Sequence, residues 1–526
     1  MSPVVAPFAN EPLVDFSHTE NISQMQAALA QVKRDFGREY FLIIHGEQIK
    51  TGQKMRSTNP AAPREIVGVA QRATVTHAEQ ALASASTAFG EDPASKGWRW
   101  IAPEARAKYA FKAADVMRRR RFELAAWLIC EVGKSWSEAD ADVAEAIDFC
   151  EFYGREALRY GERQPLGTVP GEKNSLVYLP LGVGVVIAPW NFPLAILTGM
   201  TVAAWVSGNT VVLKPSSESI VIAAKFMEVM EEIGLPPGVV NFITGPGGEI
   251  GECLVLDPRT RFVAFTGSRE VGVGIVEQAA QQQPGQRWIK RVIAELGGKG
   301  AVIVDDECDL DAAAQGIVES AFGFQGQKCS AGSRAIVHAA VYDRVLEKVI
   351  ALTQALRIGP TIDPQYTMGP VVSEKQLATI MKYIEVGARD AQLVSGGTRV
   401  SREGFFLEPA IFSDVDPQSR LAQDEIFGPV LSFLRANTFA DALQIANGTD
   451  YGLTSAVYSS HRDHLDLACR ALHVGNLYLN RKCTGAVVGA HPFGGFNMSG
   501  TNSKAGGRDY LQLFLQAKSV AEKITE

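Results

Sequence analysis

Through the middle of the chain, short runs rich in β-branched residues alternate with longer stretches of helical period. Residues 184–188, 209–214, 239–244 and 262–266 read as strands buried on both faces. Between them, residues 193–207, 218–233 and 249–256 read as helices. Repeated strand–helix–strand order is the signature of a doubly wound parallel sheet. Right-handed crossovers then place helices on both faces. A second α/β region follows. It has strands at 301–304 and 334–338, helices at 311–322 and 340–357, later strands at 391–394, 405–412 and 430–435, and a helix at 438–446. Ahead of the doubly wound unit, 163–169 and 176–178 suggest an excursion of two strands. The apolar C-terminal stretch 511–520 is expected to pair with it. An exposed pairing of this kind favours a homo-oligomer, a dimer or an assembly of dimers.

One stretch reads two ways. Residues 181–213 carry no Asp, Glu, Lys or Arg and are long enough to span a bilayer. Pro189, Asn191 and Pro193 interrupt them, and Gly182, Gly184 and Gly208 punctuate them. Buried parallel strands are therefore expected, and no membrane partner.

A length of 526 residues is too much for one hydrophobic core, so two or three domains are expected. A net charge of −7 gives no electrostatic reason to expect nucleic acid. The run Arg118 to Arg121 is the one dense basic cluster. It falls in a helical pattern marked by Tyr109, Ala113, Val116 and Met117, so a solvated helix face is expected. Cys130, Cys150, Cys253, Cys308, Cys329, Cys469 and Cys483 form no Cys-x-x-Cys pair and have no His pair beside them. Neither a metal site nor a disulfide framework is expected. The odd count fits a reducing compartment, and the cytoplasm is the expected location. The first twenty residues lack a basic start followed by an apolar run, so no secretory signal is expected.

Taken singly, the chemical motifs are ambiguous. Cys329 lies in Phe324-Gln325-Gly326-Gln327-Lys328-Cys329-Ser330. A lone cysteine is more often a buried thiol than a nucleophile. To act, it needs activation, to which Lys328 and nearby N–H groups could contribute. Glu295 precedes Gly297-Gly298, as a functional carboxylate or as part of a surface turn. Asn191, in Pro189-Trp190-Asn191-Phe192-Pro193, follows a strand end where ligands bind. Its amide can donate to an oxyanion, or simply serve turn chemistry or helix capping. Gly245-Pro246-Gly247-Gly248 departs from dinucleotide-loop spacing and reads as a simple turn. Gly267 and Ser268, in Phe265-Thr266-Gly267-Ser268, open a helix whose N–H groups could approach a pyrophosphate. His491 reads as an ordinary surface or core histidine.

In order, Asn191, Lys214, Phe265-Thr266-Gly267-Ser268, Glu295, Cys329, Glu425-Ile426-Phe427-Gly428-Pro429 and Pro492-Phe493-Gly494-Gly495 together resemble the aldehyde dehydrogenase superfamily. The resemblance runs from about residue 40 to the C-terminus. It implies an α/β fold of three parts. A doubly wound, Rossmann-like NAD-binding domain would take 1–158 and 179–296, a second α/β catalytic domain 297–499, and small β oligomerisation strands 159–178 and 500–526. It also implies roles. Cys329 attacks the aldehyde carbon, Asn191 and the Cys329 N–H stabilise the oxyanion, and Glu295 activates the water that hydrolyses the thioester. Lys214 and Glu425 would hold the cofactor riboses, with Phe427 packed nearby and Ser268 and Gly267 at the pyrophosphate. Pro189 and Trp190 would lie on the cofactor side. Many NAD-preferring relatives carry Glu three residues after the lysine, where this chain has Ser217. A serine does not repel a 2′-phosphate, so NAD is the first expectation and NADP stays open.

A narrower likeness concerns the substrate. Gly323 to Ala331, Asn476 to Arg481, Ser499 to Asn502 and Ala144 to Asp148 resemble the glutamate-semialdehyde dehydrogenase group, also called pyrroline-5-carboxylate dehydrogenases. That likeness implies that Ser330, Gly485 and Ala486 hold a substrate carboxylate. Phe192 and Phe493 would sandwich the aliphatic chain, and Glu145 would line the site. The alternative is that Phe192, Phe493 and Glu145 are packing or helix-surface residues. The expected activity is NAD(P)-dependent oxidation of a small aldehyde, L-glutamate 5-semialdehyde, to L-glutamate in proline catabolism. Other readings are a hydrolytic dehydrogenase for a different aldehyde, a coenzyme A-acylating relative, or a non-catalytic relative.

Overall fold

A computed structural model describes residues 6–524. Residues 1–5, part of the stretch in which no secretory signal is expected, and 525–526, the tip of the last expected segment, lie outside the described residues. Two seven-stranded sheets carry the molecule.

The first sheet runs in the spatial order Arg291–Glu295, Thr260–Thr266, Val183–Ile187, Thr210–Lys214, Val240–Phe242, Leu42–Ile44, Glu47–Ile49. Its first five strands are parallel, and the last two add an antiparallel edge. Val183–Ile187 lies between the strand that follows it in the chain and a much later one, Thr260–Thr266. Connections therefore leave in opposite directions from its carboxyl end, which makes a crevice there. Helices Ala195–Val206, Ile220–Glu232, Gly247–Leu256 and Arg269–Ala279 link the parallel strands.

The second sheet has the order Gln392–Ser395, Ala410–Ser413, Val430–Ala436, Arg334–His338, Ala301–Val304, Thr454–Tyr458, Asn476–Leu479. All of its pairings are parallel except that of the first two strands. Leu296 to Gly300 joins the two sheets directly, from the end of Arg291–Glu295 to the start of Ala301–Val304.

The uncharged stretch 181–213 is explained by burial. Its helix, Ala195–Val206, sits beneath helices Pro103–Arg119 and Trp136–Gly161, with Leu197, Val202 and Trp205 wholly enclosed. Among the described residues, no helix is long and apolar enough to cross a membrane. All seven cysteines are free.

Three expectations change. Residues 163–169 form no strand and make a single bridge, Gln164 to Leu176. Pro165 and Pro170 lack the N–H a ladder needs. The excursion is instead one strand, Glu172–Pro180, paired antiparallel with Leu515–Lys523. The C-terminal partner thus starts later than expected, because Tyr510–Phe514 winds into a 3₁₀ turn that buries Tyr510, Leu511 and Phe514. The basic run is not a solvated face throughout. The chain passes from one helix to the next at Arg120, and Arg121 is buried in a two-point ion pair with Asp140 at 2.6 and 2.8 Å.

Candidate active site

The carboxyl end of the first sheet gathers several of the expected residues. Ile187 pairs with Lys214 on one side and with Phe265 on the other, and Thr266 pairs with Glu295. The Pro189–Pro193 turn, Lys214, Gly267 and Glu295 therefore emerge at one rim. The second sheet contributes Cys329 from above it.

Cys329 follows helix Leu310–Phe322 through a tight turn. Phe324 and Gln325 both adopt left-handed backbone, with φ of 48° and 58°. That conformation costs about 1–2 kcal/mol for each non-glycine residue, so the turn must be held from outside. The buried Gln325 amide donates to the carbonyls of Gly133 (3.2 Å) and Pro370 (2.7 Å). Gln327 Oε1 accepts from the Val372 N–H at 3.0 Å. Asn191 Nδ2 donates to the Gln327 carbonyl at 3.2 Å, tying the turn of the first sheet to the loop of the second.

Burial pushes the Cys329 thiol up to about 12, with Glu425 and then Glu295 adding to the shift. The thiol is therefore neutral as it stands. Lys328 does not relieve this. Its ammonium turns to Glu138 at 2.7 Å, which corrects the expectation that it assists the neighbouring sulfur.

Glu295 is raised to about 7, again by burial, and is opposed by hydrogen bonds from Ser503 and Gly495. Ser503 donates both its N–H (3.2 Å) and its hydroxyl to Oε1, and the Gly495 N–H donates to Oε2 at 3.2 Å. A carboxyl group poised near neutrality is suited to taking a proton. A Cβ on Gly494 would stand 2.9 Å from Glu295 Oε1, so glycine is required there.

The aromatic wall is charged from behind. Lys134 Nζ lies 4.0 Å from the Phe192 ring centroid and 4.3 Å from that of Phe324. Its partner is Asp142 at 3.2 Å, an approach without good hydrogen-bond alignment; both side chains are 0% exposed. Asp142 also accepts from the Ala195 N–H at 2.7 Å, just past the Asn191 turn. Glu145, on the same helix as Asp142, is pushed up to about 8 by burial and then by Asp142. That shift favours its protonated form near neutral pH.

Phe493 exchanges two backbone hydrogen bonds with Ala505, at 2.8 and 2.7 Å, and so stands at the root of the loop that holds Glu295. The Ser330 carbonyl accepts from Thr454 Oγ1 (3.2 Å) and Cys483 Sγ (3.3 Å). This ties it to the segment leading to Gly485 and Ala486. Gly485 is exposed with φ of 76°, and its carbonyl accepts from Arg481 at 3.1 Å. His491 is half-buried and accepts from the Val487 N–H at 3.2 Å, an ordinary local contact.

On the cofactor side, Lys214 is buried, and burial lowers its ammonium to about 8. It donates to the Pro215 carbonyl at 3.2 Å. Ser268 is the N-cap of helix Arg269–Ala279 and accepts from Val271 at 3.5 Å. The Gly267 N–H donates to the Glu295 carbonyl at 3.1 Å. Glu425 accepts from the Gly298 N–H at 2.9 Å and is raised to about 7 by burial. Phe427, at φ 55°, sets its ring edge-on to Trp190 with centroids 5.4 Å apart. Ser217 follows Lys214 half-buried, whereas Glu218 is exposed.

The aldehyde dehydrogenase family model matches residues 48–520. The chain belongs to the aldehyde dehydrogenase family. As a member it is an oxidoreductase whose substrate is a small aldehyde. It is 54% identical over 519 residues to the 1-pyrroline-5-carboxylate dehydrogenase of Geobacillus thermodenitrificans, covering 99% of this chain and 100% of that one. It is 52% identical to 1-pyrroline-5-carboxylate dehydrogenase 2 of Bacillus subtilis, with the same coverage. The structure of 1-pyrroline-5-carboxylate dehydrogenase from Thermus with bound NAD is similar at a TM-score of 0.96 and 52% identity, covering 99% of this chain and 100% of that one.

Within this aldehyde dehydrogenase, sequence reasoning missed the supporting residues Lys134, Asp142, Gln325 and Ser503. Asp142 carried a usable signal, since an acid on the apolar face of a helix calls for a buried partner. Gln325 carried none, because its work is to satisfy carbonyls that only the fold brings near.

Proposed function

We propose that this chain oxidises L-glutamate 5-semialdehyde, in equilibrium with 1-pyrroline-5-carboxylate, to L-glutamate, a step of proline catabolism, with NAD as hydride acceptor. The observation that carries this reading is full-length identity above half with relatives of that name, joined to a site where Asn191, Glu295 and Cys329 converge.

The roles are those that the family resemblance implies, and the clustering of these residues supports them. Cys329 first gives its thiol proton to water, Sγ then bonds to the aldehyde carbon as the carbonyl π bond breaks onto oxygen, and Asn191 Nδ2 and the Cys329 N–H face the resulting oxyanion. Hydride leaves that carbon, giving a thioester. Glu295 takes a proton from water as the water oxygen bonds to the thioester carbon. The C–S bond then breaks, releasing the acid and the Cys329 thiolate. When bound, the nicotinamide supplies the electron sink. The donors fit such a cofactor: Lys214 has three N–H groups and one protein acceptor, and Ser268 caps a helix N-terminus suited to a pyrophosphate. Glu425 and Lys214 would take the riboses, Phe427, Pro189 and Trp190 the nicotinamide end, and Gly267 the close approach. Ser217 leaves room for NADP.

Ser330, Gly485 and Ala486 take the substrate carboxylate, Phe192 and Phe493 flank its methylene chain, and the protonated Glu145 lines the pocket. Residues 1–158 and 179–296 serve the cofactor, 297–499 the chemistry, and 159–178 with 500–526 assembly of copies. The antiparallel ribbon Glu172–Pro180 with Leu515–Lys523, largely exposed along the C-terminal strand, supports a homo-oligomer. Seven free cysteines support a cytoplasmic location.

The test is a substrate panel of glutamate semialdehyde, succinate semialdehyde, propanal and betaine aldehyde, run with NAD and with NADP. Glutamate semialdehyde with NAD should give the highest kcat/KM. A clear preference for another aldehyde overturns the substrate assignment.

A further inference from the structure

The loop from Phe493 to Ala505 closes on itself and wraps the end of strand Arg291–Glu295. Phe493 and Ala505 bond to each other, and Lys504 Nζ ties the loop to the carbonyls of Gly475 (2.6 Å) and Gly494 (3.0 Å). Thr501 N–H donates to the Ala294 carbonyl at 2.8 Å, and Leu296 N–H donates to the Ser499 carbonyl at 2.9 Å. Glu295 is thus gripped at the residues before and after it. The same loop then supplies all three donors to its carboxylate: the Ser503 N–H, the Ser503 hydroxyl and the Gly495 N–H.

We infer that Ser503 is a positioning residue for the hydrolytic step, its hydroxyl holding the Glu295 carboxylate ionised and in place. This rests on the reading of Glu295 as the base. A serine hydroxyl that donates to a carboxylate favours the charged form, and a carboxyl group must be charged to take the proton of water. Burial works against that charge, so the donors decide how much base is present near neutral pH. The other groups facing Glu295 are Lys504, whose cation also favours its charge, Cys329 across the site, and the buried Tyr510. None of these replaces a direct hydrogen bond. The Ser503 and Gly495 N–H groups survive any side-chain change, so the hydroxyl can be tested alone.

The experiment measures the rate of acyl-enzyme decay after the NADH burst, as a function of pH, in the full-length enzyme. Ser503→Ala should keep the burst amplitude and shift the acidic limb of decay upward by about one to two pH units, the worth of one hydrogen bond to a charged group. At neutral pH the decay should slow about five- to fiftyfold. Ser503→Thr keeps the hydroxyl and should restore the limb. A merely structural role would lower burst amplitude or thermal midpoint without moving the limb. If Ser503→Ala fails to fold, Ser503→Cys, a weaker donor of similar size, should give an intermediate shift. An unshifted limb in folded Ser503→Ala or Ser503→Cys overturns the inference. Unchanged steady turnover in Glu295→Gln overturns instead the reading of Glu295 as the base.

Discussion

Lys134 is wholly buried and Glu295 half-buried at the edge of the site, and the two ionisable groups are held in opposite ways. Lys134 meets two aromatic faces and one carboxylate, with no well-aligned hydrogen bond. Glu295 receives three directed hydrogen bonds from one loop. The first arrangement packs a lysine side chain between ring faces and an ion partner, without directed hydrogen bonds. The second suits a charge that must come and go, since hydrogen bonds offset burial just enough to leave the group near neutrality. On the proposed function, the difference separates a residue that fixes the wall from one assigned to move a proton.

The largest effect expected from this contrast is at the base. Glu295→Gln should lower steady turnover by about 10²–10⁴-fold while leaving a burst of NADH, measured by stopped flow. A lost burst would mean that Glu295 holds the structure as Lys134 does. Lys134→Met should strand Asp142 without its cation and cost about 3–5 kcal/mol of stability by denaturant unfolding. Adding Asp142→Asn should return most of it. If Lys134→Met folds normally but shifts the pH profile of deacylation, the contrast fails from the other side. Asn191→Ala removes the amide donor and its tether to Gln327, and the burst rate should fall about 10²–10³-fold.

The smallest effect is in pH dependence. The Glu145 acid is raised from 4.5 to about 8 in the folded state. The folded protein thus holds a proton that the unfolded chain has already lost. Stability from this group is full below the unfolded value and is lost as pH rises through 8. Glu145→Gln should flatten that decline when unfolding free energy is compared between about pH 5 and pH 8; an unaltered slope would show that Glu145 is ionised already.

Much of the site was legible because its chemistry is carried by residues next to strand ends. Lys214 and Glu295 close parallel strands, Asn191 and Gly267 sit just beyond two others, and such ends share one rim. Cys329 was legible by motif, but its surroundings were misjudged at Lys328. A lysine beside a thiol in sequence says nothing of which acid, here Glu138, competes for it in space. The run 163–169 failed for a local reason, Pro165 within it and Pro170 directly after it. Arg121 failed for a distant one, since Asp140 lies on another helix.

By itself, then, the sequence determined the strand–helix alternation and the order of the motifs, because period and neighbouring residues are local properties; the proposed nucleophile, base and oxyanion donor came from the resemblance that the motifs carry together. Only the tertiary structure decided what holds them. Ser503 on Glu295, Asp142 on Lys134 and Gln325 on two carbonyls are pairs separated by long stretches of chain or by a loop, apart from the nearby Lys134 and Asp142. Their worth depends on burial, which removes water as the competing partner and makes each contact count.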